Sequence, residues 1–141
     1  MRPTVLALCL SAAAGQAAAP AAAQTFTTAA EVRPILEAQK GSWVAVRVFD
    51  GRDLVYFTAI LAWRCGLEGI RYGLNGAPPE TPLEMEPCNT DTASPNAMTD
   101  DRFLPYIVQP PGSVARVSVE ISYDDGTVST VELDRRSVLM P

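Results

Sequence analysis

ISYDDGTVSTVEL, residues 121–133, sets an alternating apolar and polar segment on each side of Asp124, Asp125 and Gly126. Successive side chains of a strand point to opposite faces, so the length of the turn decides which residues meet across the hairpin. A loop of Asp125 and Gly126 alone would place Tyr123 opposite Val128, Ile121 opposite Thr130 and Val119 opposite Glu132, with a carboxylate on the core face. A loop of Asp124, Asp125 and Gly126 places Tyr123 opposite Thr127, Ile121 opposite Ser129, Val119 opposite Val131 and Val117 opposite Leu133. The apolar residues then coincide, and the longer loop is predicted. Such loops use a type I turn followed by a residue at positive φ, which glycine adopts without steric cost. A short acid in the turn can also accept a bond from the amide two residues on. The adjacent carboxylates are therefore read as turn residues, not as a catalytic dyad or a metal loop.

The same pattern recurs upstream. SWVAVRVF (42–49), the dipeptide Asp50-Gly51 and DLVYFTAILAW (53–63) read as a second hairpin. The apolar residues from Val55 to Trp63 occupy both faces, which predicts an interior strand. LEGIRYGL (67–74) meets another turn dipeptide, Asn75-Gly76, and the return segment TPLEMEP carries Pro82 close behind Pro78 and Pro79. Proline cannot donate to a ladder, so this segment is at best an edge strand. FLPYIVQ (103–109) reads as extended and is broken by Pro110-Pro111-Gly112. Ahead of all these, TFTTAA (25–30) reads as a flexible lead-in. A short helix is predicted from Pro34 to Lys40, with proline in its first turn, Gly41 at its end, and Ile35 and Leu36 as its contacts. About seven strands with frequent turns predict one all-β domain, residues 25–141, built as a two-layer antiparallel β-sandwich of the immunoglobulin-like kind with one short N-terminal helix. A small Greek-key barrel is the alternative.

The chain opens MRPTVLALCLSAAAGQAAAPAAAQTF, with one charge at Arg2, an apolar run from Val5 to Ala14 and then small residues. That is the layout of a secretory signal, and cleavage after Ala23 or Gln24 is expected, so residues 1–24 are assigned as the leader. Its apolar run falls short of the about 20 residues a spanning helix needs. Leu8 stands before Cys9 where a lipoprotein signal has a small residue. The whole chain carries 11 bases and 16 acids, a formal charge of −5, and loss of Arg2 with the leader makes it more negative. Phosphate binding wants clustered Lys and Arg, so nucleic acid is not an expected partner.

With Cys9 removed, Cys65 and Cys88 remain, and an even pair in an exported chain reads as a disulfide. Closing such a loop stabilises by roughly 3 kcal/mol on the chain-entropy account. The pair is too far apart for a C-x-x-C redox or zinc motif. There is no histidine in the chain. That removes Ser-His and Cys-His nucleophile systems, histidine-ligated zinc and imidazole acid/base catalysis. Lys40 at a helix end suits a C-terminal cation better than a Schiff-base amine, and no phosphate-cradling glycine loop occurs. No cofactor is expected.

Three sets of residues keep some chemistry. The polar loop after Cys88 supplies a candidate binding loop of Asn89, Asp91, Asn96, Asp100 and Asp101. With Ser94 its oxygens suffice for calcium, although the EF-hand order is absent and Pro95 limits how the loop can wrap. Arg64, Arg71 and Tyr72 form a candidate anion patch, the plainer reading being that the arginines snorkel or pair with Glu68, Glu84 or Glu86. Paired carboxylates among Glu68, Glu84, Glu86, Asp91, Asp100 and Asp101 would serve a glycoside-hydrolase type of mechanism.

SWVAVRVFDGRDLVYFTAILAWRCGL, IRYGLNGAPPE, MEPCNTDTASPNA and SVEISYDDGT, together with the short helix, resemble small exported hypothetical proteins of alphaproteobacteria that have no assigned activity. The resemblance spans nearly all of residues 25–141 and implies a periplasmic address, with nothing about mechanism. The expectation is a periplasmic or secreted binding module for an envelope protein, a carbohydrate or another small ligand, and not an enzyme. A carboxylate-dependent hydrolase and an inhibitor of a secreted enzyme are the alternatives.

Overall fold

The computed structural model describes residues 14–19 and 24–141. The assigned leader, with Cys9 and its apolar run, falls largely outside these residues. In chain order the elements are helix α1 (Ala29–Ala38), strands β1 (Ala45–Phe49) and β2 (Arg52–Tyr56), a single helical turn α2 (Thr58–Leu61), strands β3 (Leu67–Leu74), β4 (Thr81–Pro82), β5 (Tyr106–Gln109), β6 (Arg116–Tyr123) and β7 (Val128–Asp134), and a last turn α3 (Arg135–Val138). The strands form two antiparallel sheets, one ordered β1-β2-β5 and the other β4-β3-β6-β7. This agrees with the expected two-layer sandwich. No described strand belongs to both sheets, so the alternative barrel does not form. Among the described residues no helix is long and apolar enough to cross a membrane.

The β6–β7 hairpin has the predicted three-residue loop. Val117 pairs with Leu133, Val119 with Val131 and Ile121 with Ser129. The Tyr123 amide donates to the Thr127 carbonyl at 2.8 Å, and Gly126 has φ +82°. The Thr127 amide donates to the Asp125 carboxylate at 3.0 Å. The β1–β2 hairpin closes through Asp50 and Gly51, both at positive φ, the two-residue turn whose twist matches the strands it joins. β4 is a two-residue edge strand ended by proline, as Pro82 dictates.

Two predicted elements are corrected. The helix starts at Ala29, well before Pro34, because Thr28 and Glu31 form a capping box, and Pro34 sits inside it at the loss of one ladder bond. Residues 28–30 are therefore part of the helix and its cap, not a lead-in. The apolar run Val55–Trp63 is not one strand: β2 stops at Tyr56 and the chain coils into α2. β2 is paired on both sides only while β1 and β5 last, and its partners end at Ala45 and Tyr106. Beyond the Phe57 amide, which donates to Pro105 at 2.8 Å, the backbone must satisfy itself, and a helical turn does so. FLPYIVQ is likewise shorter as a strand than predicted, pairing only from Tyr106 to Gln109.

The core lies between the sheets. Val46, Val55 and Phe57 from one side and Ile70, Val117, Val119, Ile121 and Tyr123 from the other are buried, and Val32 and Leu36 of α1 join them. Trp43 is fully buried and donates its indole N–H to the Leu36 carbonyl at 2.8 Å, tying the end of α1 to the start of β1. After α3 the tail returns to the first sheet, where Leu139 bridges Val46 in parallel and the Met140 amide donates to the Val46 carbonyl at 2.8 Å.

The turn after β3 folds back on the strand, and a Cβ on Gly73 would collide with the carbonyls of Ala77 and Pro78. Those atoms are backbone and cannot rotate away. Gly73→Ala is expected to destabilise by about 1–3 kcal/mol in chemical denaturation. Gly69→Ala on the same strand, where a Cβ would meet nothing within 4 Å, is expected to do much less.

Candidate functional site

The long segment between β4 and β5 has almost no ladder of its own, so its order comes from side chains. Arg64, in a 3₁₀ turn before β3, is 2 % exposed. Its guanidinium donates to the carbonyls of Glu86 at 2.7 Å, Pro87 at 3.2 Å, Ala97 at 3.1 Å and also Asn96. The carboxylate of Glu86 stands 3.7 Å away. Glu86, itself buried, accepts from the Asn89 amide group at 3.0 Å, from the Thr99 hydroxyl at 3.0 Å and from the backbone amides of Thr99 and Asp100. These donors, Asn89 foremost, hold its carboxyl below the usual carboxylate range. The disulfide between Cys65 and Cys88 is present beside them.

Part of the candidate binding loop is tied into this network. Asn89 also donates to the Ala97 carbonyl at 2.9 Å. Asn96 accepts from the Cys65 amide at 2.8 Å and donates to the Phe26 carbonyl at 2.8 Å. Asp100 is held by Arg102, whose guanidinium lowers its carboxyl to about 2. Asp91 and Asp101 are both exposed, and among the described residues neither side chain makes such a bond. Among the described residues no three Asp, Glu, Cys or His side chains gather as a metal site would require.

The candidate anion patch is likewise not assembled. Arg64 is spent on the loop. Arg71 is exposed and stands across from Glu120, while Tyr72, the next residue along the strand, lies across from the buried Val119 and packs its ring 5.4 Å from that of Phe57. Arg71 and Tyr72 thus serve opposite faces of one sheet. The plainer expectation holds for Arg64, with Glu86 as its partner, except that it does not snorkel.

The turn acids also serve the fold. Asp124 accepts from the Ala29 amide at 2.8 Å and so caps the start of α1, while Asp125 pairs with Arg33. Arg33 in turn lies over the Tyr123 ring, 4.7 Å from its centroid. Asp53 is fully buried. It receives Arg135 through two hydrogen bonds and the amides of Gly112 and Val114 at 3.0 and 3.1 Å, joining β2 to α3 and to the loop between β5 and β6.

What remains available is a surface the sequence reading did not single out. Ala45, Arg47 and Phe49 of β1, Arg52, Leu54 and Tyr56 of β2, and Tyr106 and Val108 of β5 share the outward face of the three-stranded sheet, the opposite one from Val46 and Val55, with Leu54 buried at its centre. Phe49 is 52 % and Val108 44 % exposed. The rings of Tyr56 and Tyr106 sit 5.1 Å apart, and Arg47 lies 4.9 Å from the centroid of Phe49. Beside them a groove of about 380 Å³ opens between Trp43, Ala45, Tyr56, Thr58 and the tail residue Met140, with Arg47 at its side. The signal was present in the apolar residues on both faces of the segment around Val55, since one of those faces looks away from the other sheet.

Replacing Arg64 leaves the carbonyls of Glu86, Pro87 and Asn96 without this donor and removes the cation beside the buried Glu86 carboxylate, so Arg64→Met is expected to cost about 3–5 kcal/mol in urea unfolding. The donors around Asp53, Arg135 foremost, hold its carboxyl at about 2, below the ordinary 3.8. A lowered carboxyl stabilises the fold above its unfolded value, and that contribution is lost as pH falls from 3.8 toward about 2. Thermal melts are expected to show a gap between the native protein and Arg135→Met at pH 6 that narrows toward pH 2, where a constant gap would mean that the pair is not linked to protons. No family model, curated protein or solved structure matches this chain, so the chemistry of the site rests on its own residues.

Proposed function

We propose that the protein is a periplasmic or secreted binding module and that its ligand surface is the outward face of the β1-β2-β5 sheet. The observation that carries this reading is the outward face itself, where Phe49 and Val108 are exposed and Tyr56 and Tyr106 half-buried, with a groove alongside. The free face of an antiparallel sheet is ordinarily polar, and a contiguous apolar area on it marks a site of interaction. Catalysis finds less support: the two most buried carboxylates, Asp53 and Glu86, are saturated by structural donors.

An exported address is supported by the leader pattern of residues 1–24 and by the Cys65–Cys88 bridge, since disulfides persist in oxidising compartments. The immunoglobulin-like reading is supported by the strand order. Seven strands in the constant-type sandwich are divided as first, second, fifth and fourth against third, sixth and seventh. Here the division is β1-β2-β5 against β4-β3-β6-β7, the same arrangement with the fourth strand carried across to the third. The bridge departs from that pattern, because it closes the segment around β3 and β4 and does not join the two sheets.

Hydrogen–deuterium exchange on the purified protein, with and without concentrated periplasmic extract of the cells that make it, tests the location of the surface. New protection is expected over residues 45–56 and 106–108, with residues 89–101 unchanged. Protection confined to 89–101 would move the site to the loop and bring the enzyme-inhibitor alternative forward.

A further inference from the structure

We infer that the groove beside β1 receives a small free carboxylic acid with a compact apolar body, the carboxylate meeting Arg47; this rests on the outward face being the binding surface. The volume, about 380 Å³, suits one small organic molecule. Its lining is mostly apolar, with Ala45, Ala59 and Met140 contributing, and its polar residues are few, among them Ser42 and Thr58. A ligand filling it must be mostly hydrocarbon.

Charge selects among such ligands. The chain is acidic, with 16 Asp and Glu, yet none of them lines this groove, whereas Arg47 does. Six other arginines are within ion-pair distance of a carboxylate: Arg33, Arg52, Arg64, Arg102, Arg116 and Arg135. Arg47 has no such partner among the described residues; its guanidinium instead rests over the Phe49 ring. Stacking on an aromatic face leaves the in-plane N–H groups of a guanidinium free, and their fork matches a carboxylate. A phosphate is less suited, because a single arginine with no glycine-rich amide cradle beside it meets only part of that charge. A neutral sugar would ask for many more polar partners than this lining holds.

The test uses the purified protein and four probes: 4-phenylbutyrate, its alcohol 4-phenylbutanol, its amine 4-phenylbutylamine, and glucuronate. Titrations followed by amide NMR are expected to shift Ala45, Arg47 and Tyr56 with the acid, which binds at least about tenfold tighter than the alcohol, the amine or glucuronate, the scale of one charge-assisted contact. Arg47→Gln is expected to bring the acid down to the alcohol's affinity, and because Arg47 is exposed the melting temperature should not change. Equal binding of acid and alcohol, or tighter binding of the amine or of glucuronate, would overturn the carboxylate while leaving the face as a binding surface. If no probe moves these amides the inference also fails, and hydrogen exchange in extract then separately decides whether the face binds anything.

Discussion

The fold depends first on one buried cation. Arg64 takes up four backbone carbonyls from two stretches of the segment that follows β4, and the adjacent Glu86 takes up the amides and side-chain donors of the same segment. Residues 83–105 contribute no regular strand or helix, so their buried backbone groups have no ladder to satisfy them. A guanidinium and a carboxylate placed back to back perform that service for both kinds of group. Cys65 adjoins Arg64 and Cys88 follows Glu86 closely, so the covalent and polar fastenings coincide. A charge at this depth is tolerable only because each of its directions is met by an acceptor.

The same device recurs elsewhere in the molecule. Asp53 gathers two amides and Arg135, and Asp124 gathers the first amide of α1. In each case a carboxylate stands in for the missing neighbour at the end of a regular element. This accounts for why so many of the acids that look chemically promising in the sequence are committed to architecture. Among the described residues Arg47 has no carboxylate partner, and it lies beside Phe49 on the outward face of the smaller sheet, where Tyr56 and Tyr106 pack against each other.

Local rules were legible and long-range partners were not. The hairpin register at Asp124–Gly126, the turn at Asp50-Gly51 and the edge position of the segment holding Pro82 follow from residues close in the chain, and all three are found. The pairing of Cys65 with Cys88 followed from there being one way to pair two residues. The capping box of Thr28 and Glu31 was equally local, but Pro34 drew attention to itself as a starting residue and hid it. The fate of Val55–Trp63 could not be read locally, since it turns on where β1 and β5 stop. Arg64 looked like a surface arginine because its four acceptors lie 22 to 33 residues downstream. The outward face was hidden for a related reason: apolar residues on both sides of a strand imply a third layer until the number of layers is known.

The tail that runs past α3 has a bearing on how the molecule avoids its own kind. A sheet edge with idle amides and carbonyls recruits further strands, and natural proteins blunt such edges. Here the parallel bridge of Leu139 to Val46 occupies β1, β4 is two residues long and ends in proline, and β5 runs straight into Pro110 and Pro111. β7, seven residues without proline, is the remaining margin. Fibril growth or strand exchange between copies would therefore begin along Val128–Asp134, and trimming the last three residues would open a second front at β1.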